Sequence, residues 1–320
     1  MTTHRALPVR RRGTYEQSVL VLGAAQLGSA YGIANTTGMP DDRSIRRLLR
    51  VAAELGVTHV DTAREYGESE RRIGGVLSSS DGPQLRVITK VAPLMTGSAD
   101  PAAARSVVEA SVRASLAELG ARRPLTVLLH RAADAAAGGG AGWERLREYL
   151  EAGVADRIGV SIQSPDELRR VIDLPDLGYL QLPCNVLDRR WLSDEISTAL
   201  SARHDLVVTV RSVYLQGLLA AGRGVAWPHL PDQRRDQIVA ALDAMAAALG
   251  RADRIDLCVA YVLSLPWVTS VVVGVEAEVQ LRRNAALASR PPLSSTERER
   301  LLAAIPEVPA DLVDPSRWRG

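Results

Sequence analysis

The chain has 320 residues, 39 of them basic and 37 acidic, for a net charge of +2, and 46% are hydrophobic. That balance excludes a general electrostatic face for nucleic acid or membrane, and the apolar share is enough for a substantial core. Two cysteines, Cys184 and Cys258, are too few for a disulfide framework and suit a reducing cytoplasm.

The N-terminal arm, residues 1–17, is polar and lacks the apolar stretch of a secretory signal, and its Arg10-Arg11-Arg12 cluster is expected to be solvated. Short apolar runs predict strands at 19–22, 58–61, 85–89, 125–129, 157–161, 179–182, 206–210 and 271–273. Helical patterns such as 41–55, 101–119 and 193–202 lie between them. Runs that are apolar without alternation suit parallel strands covered on both faces. Residues 138–142 read as a flexible glycine-rich insertion without a phosphate-loop pattern, and 218–236 as a loop over the barrel mouth.

From 257 to 275 the chain is uncharged, a length that could span a bilayer. Ser264, Pro266, Thr269 and Ser270 interrupt it, so a helix ending near Leu265 and a buried strand account for it better. The tail, 291–320, is expected to pack on the outside or cover the site. Strands alternating with helices, and no long linker, predict an α/β fold: a single (β/α)8 TIM barrel domain over residues 1–320. A doubly wound open sheet is the alternative.

Barrels carry their chemistry at the carboxyl ends of the strands. Here those ends read Asp61-Thr62-Ala63 followed by Tyr66, then Thr89-Lys90, then Leu128-Leu129-His130. Lys90 is the single lysine of a chain otherwise pulled towards arginine. Under such a pull a lysine persists where a compact ammonium is needed beside a titrating group, a task unsuited to a planar guanidinium. A phenol is a poor acid at neutral pH, and an ammonium beside Tyr66 would stabilise its phenolate. Asp61 would hold that ammonium, and His130 would donate to a carbonyl oxygen becoming an alkoxide. The cluster lacks a hydride source, which a cofactor must supply.

The sequence resembles the aldo-keto reductase family. The resemblance is carried by Leu22-Gly23-Ala24-Ala25-Gln26-Leu27-Gly28, by Asp61-Thr62-Ala63 with Tyr66-Gly67-Glu68-Ser69-Glu70, by Thr89-Lys90 and by Leu128-Leu129-His130. Gly159-Val160-Ser161, Gln181 with Asn185, Arg211-Ser212 with Gln216-Gly217-Leu218-Leu219, and Val273-Gly274 with Gln280 and Asn284 extend it from about residue 19 to 287. It implies an NADP(H)-dependent reduction of an aldehyde or ketone, borne on a sugar or secondary metabolite. Tyr66 would be the general acid, Lys90 and Asp61 its tuning pair, and His130 the group that orients the carbonyl.

The cofactor would lie against Gly23. Ser161 and Gln181 would bond its carboxamide, with Arg211 at the nicotinamide, Ser212 and Tyr214 near the pyrophosphate and Gly274, Gln280 and Asn284 at its adenosine end. Two positions depart from the family's pattern. Arg211 stands where many members place an aromatic ring under the nicotinamide, and it either stacks there or turns to a carboxylate or the substrate. Glu276 and Glu278 lie where basic residues commonly meet a 2′-phosphate, although Arg282 and Arg283 could reach it and the acids could simply favour a helix N-terminus. NAD(H) therefore competes with NADP(H). An isomerase or lyase using the same cluster, and a cofactor-sensing regulatory protein, are the alternative functions.

The remaining candidates read as structural. Trp143, Trp191 and Trp227 could line a pocket or merely cover the core, His59 belongs inside a strand, and His229 in a loop. Cys184 suggests packing. No residues have metal-ligand spacing.

Overall fold

The computed structural model describes residues 7–30, 32, 38–94, 100–120 and 125–318. An antiparallel hairpin, β1 (Val9–Arg12) and β2 (Tyr15–Ser18), opens the chain. Eight parallel strands follow: β3 (Leu20–Gly23), β4 (His59–Asp61), β5 (Arg86–Lys90), β6 (Leu125–Leu129), β7 (Ala155–Ser161), β8 (Leu177–Pro183), β9 (Val207–Arg211) and β10 (Ser270–Gly274). They form a closed barrel, with Val271 beside Leu20 and Gly274 beside Gly23 at the seam between β10 and β3. The predicted (β/α)8 barrel is the fold, and closure of the seam sets the open sheet aside.

Around the barrel run α1 (Ala25–Gly28), α2 (Asp42–Glu54), α3 (Ser69–Leu77), α4 (Pro101–Leu119), α5 (Ala141–Glu151), α6 (Pro165–Val171) and α7 (Asp194–Ala202). They continue with α8 (Leu218–Ala221), α9 (Asp232–Ala248), α10 (Arg254–Leu263), α11 (Glu278–Ala288) and α12 (Ser295–Ala304). The helix signals are local. Asp41 caps α2 by accepting from the Ser44 N–H at 2.7 Å, and Ile45, Leu48, Leu49 and Ala52 then bury one stripe.

Strand periodicity explains where the site residues fall. Alternate residues of a strand face opposite sides. The inward residues Val21, Ile88, Leu128, Tyr179, Val207 and Val272 cluster inside the barrel, while Leu20, Leu22, Val60, Val127, Leu180 and Val208 pack in the larger core outside it. Two positions beyond five of those inward residues stand Gly23, Lys90, His130, Gln181 and Gly274, and Arg211 is on the same face of β9 as Val207.

The structure corrects two expectations. Arg10 and Arg12 are not simply solvated: Arg10 donates to the carbonyls of Val268 (2.5 Å) and Leu263 (2.8 Å), and Arg12 donates to Thr269 Oγ1 (3.2 Å). Leu263 ends α10, where carbonyls lack helical partners, and Val268 lies in the connection to β10; the Arg10 guanidinium fork joins the two. Arg11, between them, is exposed and pairs with Glu16. Residues 138–142 are not a loose insertion either. Gly138 is buried with φ of 58°, and a β-carbon there would lie 2.9 Å from both the Ala104 side chain and the Asp100 carbonyl. Gly138 is thus pressed against the start of α4, while Gly139 and Gly140 are uncrowded and have positive φ (64° and 88°), which glycine adopts without strain.

The stretch 218–236 holds α8, a 3-10 turn and the start of α9. In 257–275, α10 stops at Leu263 and β10 begins at Ser270; no helix among the described residues is long and apolar enough to cross a membrane. The tail forms α12, capped by Ser294 and packed on α9 outside the barrel. Arg189 donates to its Leu302 carbonyl and to that of Ile305, both at 2.7 Å.

Candidate active site

Asp61 ends β4, Lys90 ends β5, and His130 directly follows β6. Tyr66 lies in the loop between β4 and α3. That loop is tied to the next strand by its backbone: the Thr62 N–H donates to the Ile88 carbonyl (2.8 Å) and the Arg64 N–H to the Lys90 carbonyl (3.0 Å). Thr89 points to the other face, where its hydroxyl donates to buried Glu70 at 2.5 Å, and Glu70 also pairs with Arg64.

Lys90 is buried, at 1% exposure, and uses all three ammonium hydrogens. It donates to both carboxylate oxygens of Asp61, at 2.8 and 3.0 Å, and to the Thr62 carbonyl at 2.9 Å. Its nitrogen is 5.0 Å from the centre of the Tyr66 ring. Burial opposes the ammonium's charge, but Asp61 and Tyr66 outweigh it, and the Lys90 pKa is raised above the ordinary lysine value. The lysine is therefore a fixed cation.

The His130 ring stands edge-on to Tyr66, with centroids 6.0 Å apart and planes at 80°. Burial first, then the charges of Lys90, Arg211 and Arg131, push its pKa down to about 3. A neutral imidazole keeps one N–H to donate. The structure thus brings the four predicted proton-active side chains into one cluster.

Gln181 extends the cluster by donating from Nε2 to Asp61 Oδ2 at 2.8 Å, while its Oε1 is buried without a hydrogen-bond partner among the described residues. Arg211 donates to the Ile162 carbonyl at 3.1 Å. A cavity of about 370 Å³ opens over Asp61 and Tyr66. Of the residues assigned to a cofactor by resemblance, Gly23, Gln181, Arg211, Ser212, Tyr214, Gly274, Gln280 and Asn284 all line it. Ser161 does not; it is buried at the end of β7 beside Gln181. The Tyr214 hydroxyl donates to Asn284 Oδ1 at 2.6 Å, joining the loop after β9 to α11. That loop holds Ser212, Leu215 and Gln216 at positive φ (61°, 48° and 52°), a conformation rare for residues with side chains and typical of functional sites.

Residue-type reasoning passed over Gln26 and Gln216 as site residues, although both lie within motifs and line the cavity. Gln26 crosses the barrel seam to fill the space that a side chain at Gly274 would need. Trp143, Trp191 and Trp227 do not line the cavity; each is buried, its indole N–H bonded to Pro175, Asp188 and Gly222 respectively. His59 is core, bonded to Thr58 and Tyr15. His229 is a loop residue with φ of 57°. The Cys184 thiol is buried, which pushes its pKa up. No group of three or more potential metal ligands occurs among the described residues.

A profile described as the Aldo/keto reductase family matches residues 19–305. The chain belongs to the aldo/keto reductase family. Aldo-keto reductase AKR11C1 from Bacillus halodurans in its holo form superposes with a TM-score of 0.75 at 21% identity, covering 94% of this chain and 97% of that one. The apo form of the same enzyme gives 0.67 at 19% identity, with coverage of 94% and 97%. The structure of PA4992 from Pseudomonas aeruginosa gives 0.61 at 20% identity, covering 90% of this chain and 98% of that one. At these identities the likeness is one of fold. No curated protein matches the sequence.

As an aldo/keto reductase, the chain is an NAD(P)H-dependent oxidoreductase of carbonyl compounds. Its residues fit a nicotinamide dinucleotide. The unpartnered Gln181 Oε1 beside the Asp61 cluster matches a carboxamide N–H, and along the wall between β3 and β10 Gly23 and Gly274 add no side chain of their own, Gln26 lying over Gly274.

Proposed function

We propose that this chain reduces an aldehyde or ketone with Tyr66 as the proton donor. The observation that carries the reading is the buried Lys90 ammonium, saturated by Asp61 and Thr62 and set 5.0 Å from the Tyr66 ring. A positive charge fixed there stabilises the phenolate left when Tyr66 gives up its proton. Asp61 holds the lysine in place and offsets its burial. His130, kept neutral, donates to the carbonyl oxygen and orients it for protonation. Gln181, with Ser161 buried beside it on β7, would bind the carboxamide of the nicotinamide, and the cavity-lining Ser212, Tyr214, Gly274, Gln280 and Asn284 its remainder, Ser161 acting behind Gln181 and not in the cavity wall. When bound, that cofactor supplies the hydride. The resemblance favours NADP(H), with NAD(H) as competitor. Both cysteines are free and buried, in keeping with a reducing cytoplasm.

Titrating the protein with NADPH and NADH, then adding a panel of aldehydes and ketones, tests the reading. Oxidation of the dinucleotide that stops in Tyr66→Phe, while that variant still binds the dinucleotide, is the expected result. Binding with no oxidation across the panel would point instead to a cofactor-sensing protein, and undiminished turnover in Tyr66→Phe would remove the phenol from the mechanism.

A further inference from the structure

Among the described residues, the end of the cavity formed by α11 carries a carboxylate, and the arginines beside it are each paired with an acid. Glu276 lines it, together with Gln280, Arg283 and Asn284. Gln280 donates to Glu276 Oε2 at 2.7 Å, and its own Oε1 accepts from the backbone N–H groups of Glu276 (2.8 Å) and Ala277 (3.1 Å). The amides just ahead of α11, which could otherwise meet an anion, are thus already bonded.

The nearby arginines are committed as well. Arg283 pairs with Asp253, whose other carboxylate oxygen is fixed by the N–H groups of Ile255 (2.9 Å) and Asp256 (3.1 Å) at the start of α10. Arg282 donates to Glu278 at 2.7 Å, and Glu278 also takes Arg47. Each of these cations faces a carboxylate, and Glu276 adds negative charge at the cavity itself.

We infer that Glu276 makes this chain select NAD(H) over NADP(H), by accepting from the hydroxyls of the adenosine ribose and repelling a 2′-phosphate. A carboxylate is an acceptor-only group suited to vicinal hydroxyls, whereas a phosphate monoester brings about −1.5 to −2 charges at neutral pH. This rests on the nicotinamide-dependent reading above and fixes which dinucleotide that site takes.

Isothermal titration calorimetry with NADH and NADPH on the full chain, Glu276→Gln and Glu276→Arg is the test. The expected result is NADH bound about tenfold or more tightly than NADPH, the scale of one charged hydrogen bond. Glu276→Gln, which keeps the shape, should bring the two constants to within a few-fold, and Glu276→Arg should reverse their order. Tighter NADPH binding by the unaltered chain, or a ratio that neither variant moves, overturns the inference and leaves the reductase reading standing. Binding of neither dinucleotide overturns both.

Discussion

Gly28 and Tyr66 touch backbone to backbone: a β-carbon on Gly28 would overlap the Tyr66 carbonyl oxygen and crowd the Ser69 N–H at 2.5 Å. The end of α1 therefore seats the loop that carries Tyr66. Ser69 completes the joint, its hydroxyl donating to the Ala24 carbonyl at 3.0 Å and accepting from Thr62 at 2.9 Å.

Gly28→Ala should consequently displace Tyr66 without touching the chemistry directly. A shift near 1 Å at a reacting group costs on the order of 100-fold in rate, and overpacking costs about 1–3 kcal/mol of stability. Steady-state turnover beside a urea titration checks this. Full turnover with unchanged stability would show that the two loops separate freely.

Lys90→Arg keeps the charge and loses the shape. A guanidinium cannot reproduce a compact ammonium bonded to Asp61 and the Thr62 carbonyl in a fully buried site. Turnover should fall by about 100-fold or more, the scale of a general acid–base contribution, with dinucleotide affinity changed far less. Near-normal turnover would reduce the lysine to a structural cation.

Arg211 places a guanidinium in the same cavity as Tyr66, Asp61 and Gln181. Oxidised nicotinamide carries a positive charge and reduced nicotinamide does not, so this cation should favour the reduced form. Arg211→Leu should narrow the affinity gap between the reduced and oxidised dinucleotide by about tenfold, as one partly screened charge would. Fluorescence titrations of both forms measure it, and an unchanged gap would assign Arg211 to the substrate or to a carboxylate rather than to the nicotinamide.

His59 and His130 both have pKa values depressed to about 3, chiefly by burial. Between an unfolded value near 6.5 and that folded value, the unfolded chain binds more protons, so stability is present above about pH 6.5 and drains away as pH falls. Each histidine contributes up to about 1.4 kcal/mol per pH unit in that window. Urea midpoints at pH 7, 6 and 5 should decline accordingly. His59→Asn should lower stability throughout yet make the decline shallower; an identical slope would mean that His59 does not titrate on unfolding.

The eight barrel strands stand close to where their apolar runs place them, because a parallel strand covered on both faces carries its signal in every residue. The hairpin was illegible for the opposite reason. Val9–Arg12 reads VRRR, and its ordering comes from carbonyls around Leu263 and Val268, far away in sequence. The Asp61, Tyr66, Lys90 and His130 cluster was legible since each residue lies at or just past a strand end, which topology alone brings together. The bond from Gln181 to Asp61 was not, because side-chain reach across the barrel has no local signature. Likewise, the acids at 276 and 278 were visible as charges, but their pairing with Gln280, Arg282 and Arg47 required coordinates.

The closing seam between β10 and β3 has a bearing on synthesis. Asp61, Tyr66, Lys90 and His130 all leave the ribosome within the first half of the chain, whereas the cavity wall joins Gly23 and Gln26 near one end to Gly274 and Asn284 near the other. A nascent chain can hold Asp61, Tyr66, Lys90 and His130 and still lack that wall. The cavity wall is therefore assembled only once the last strand has met the first.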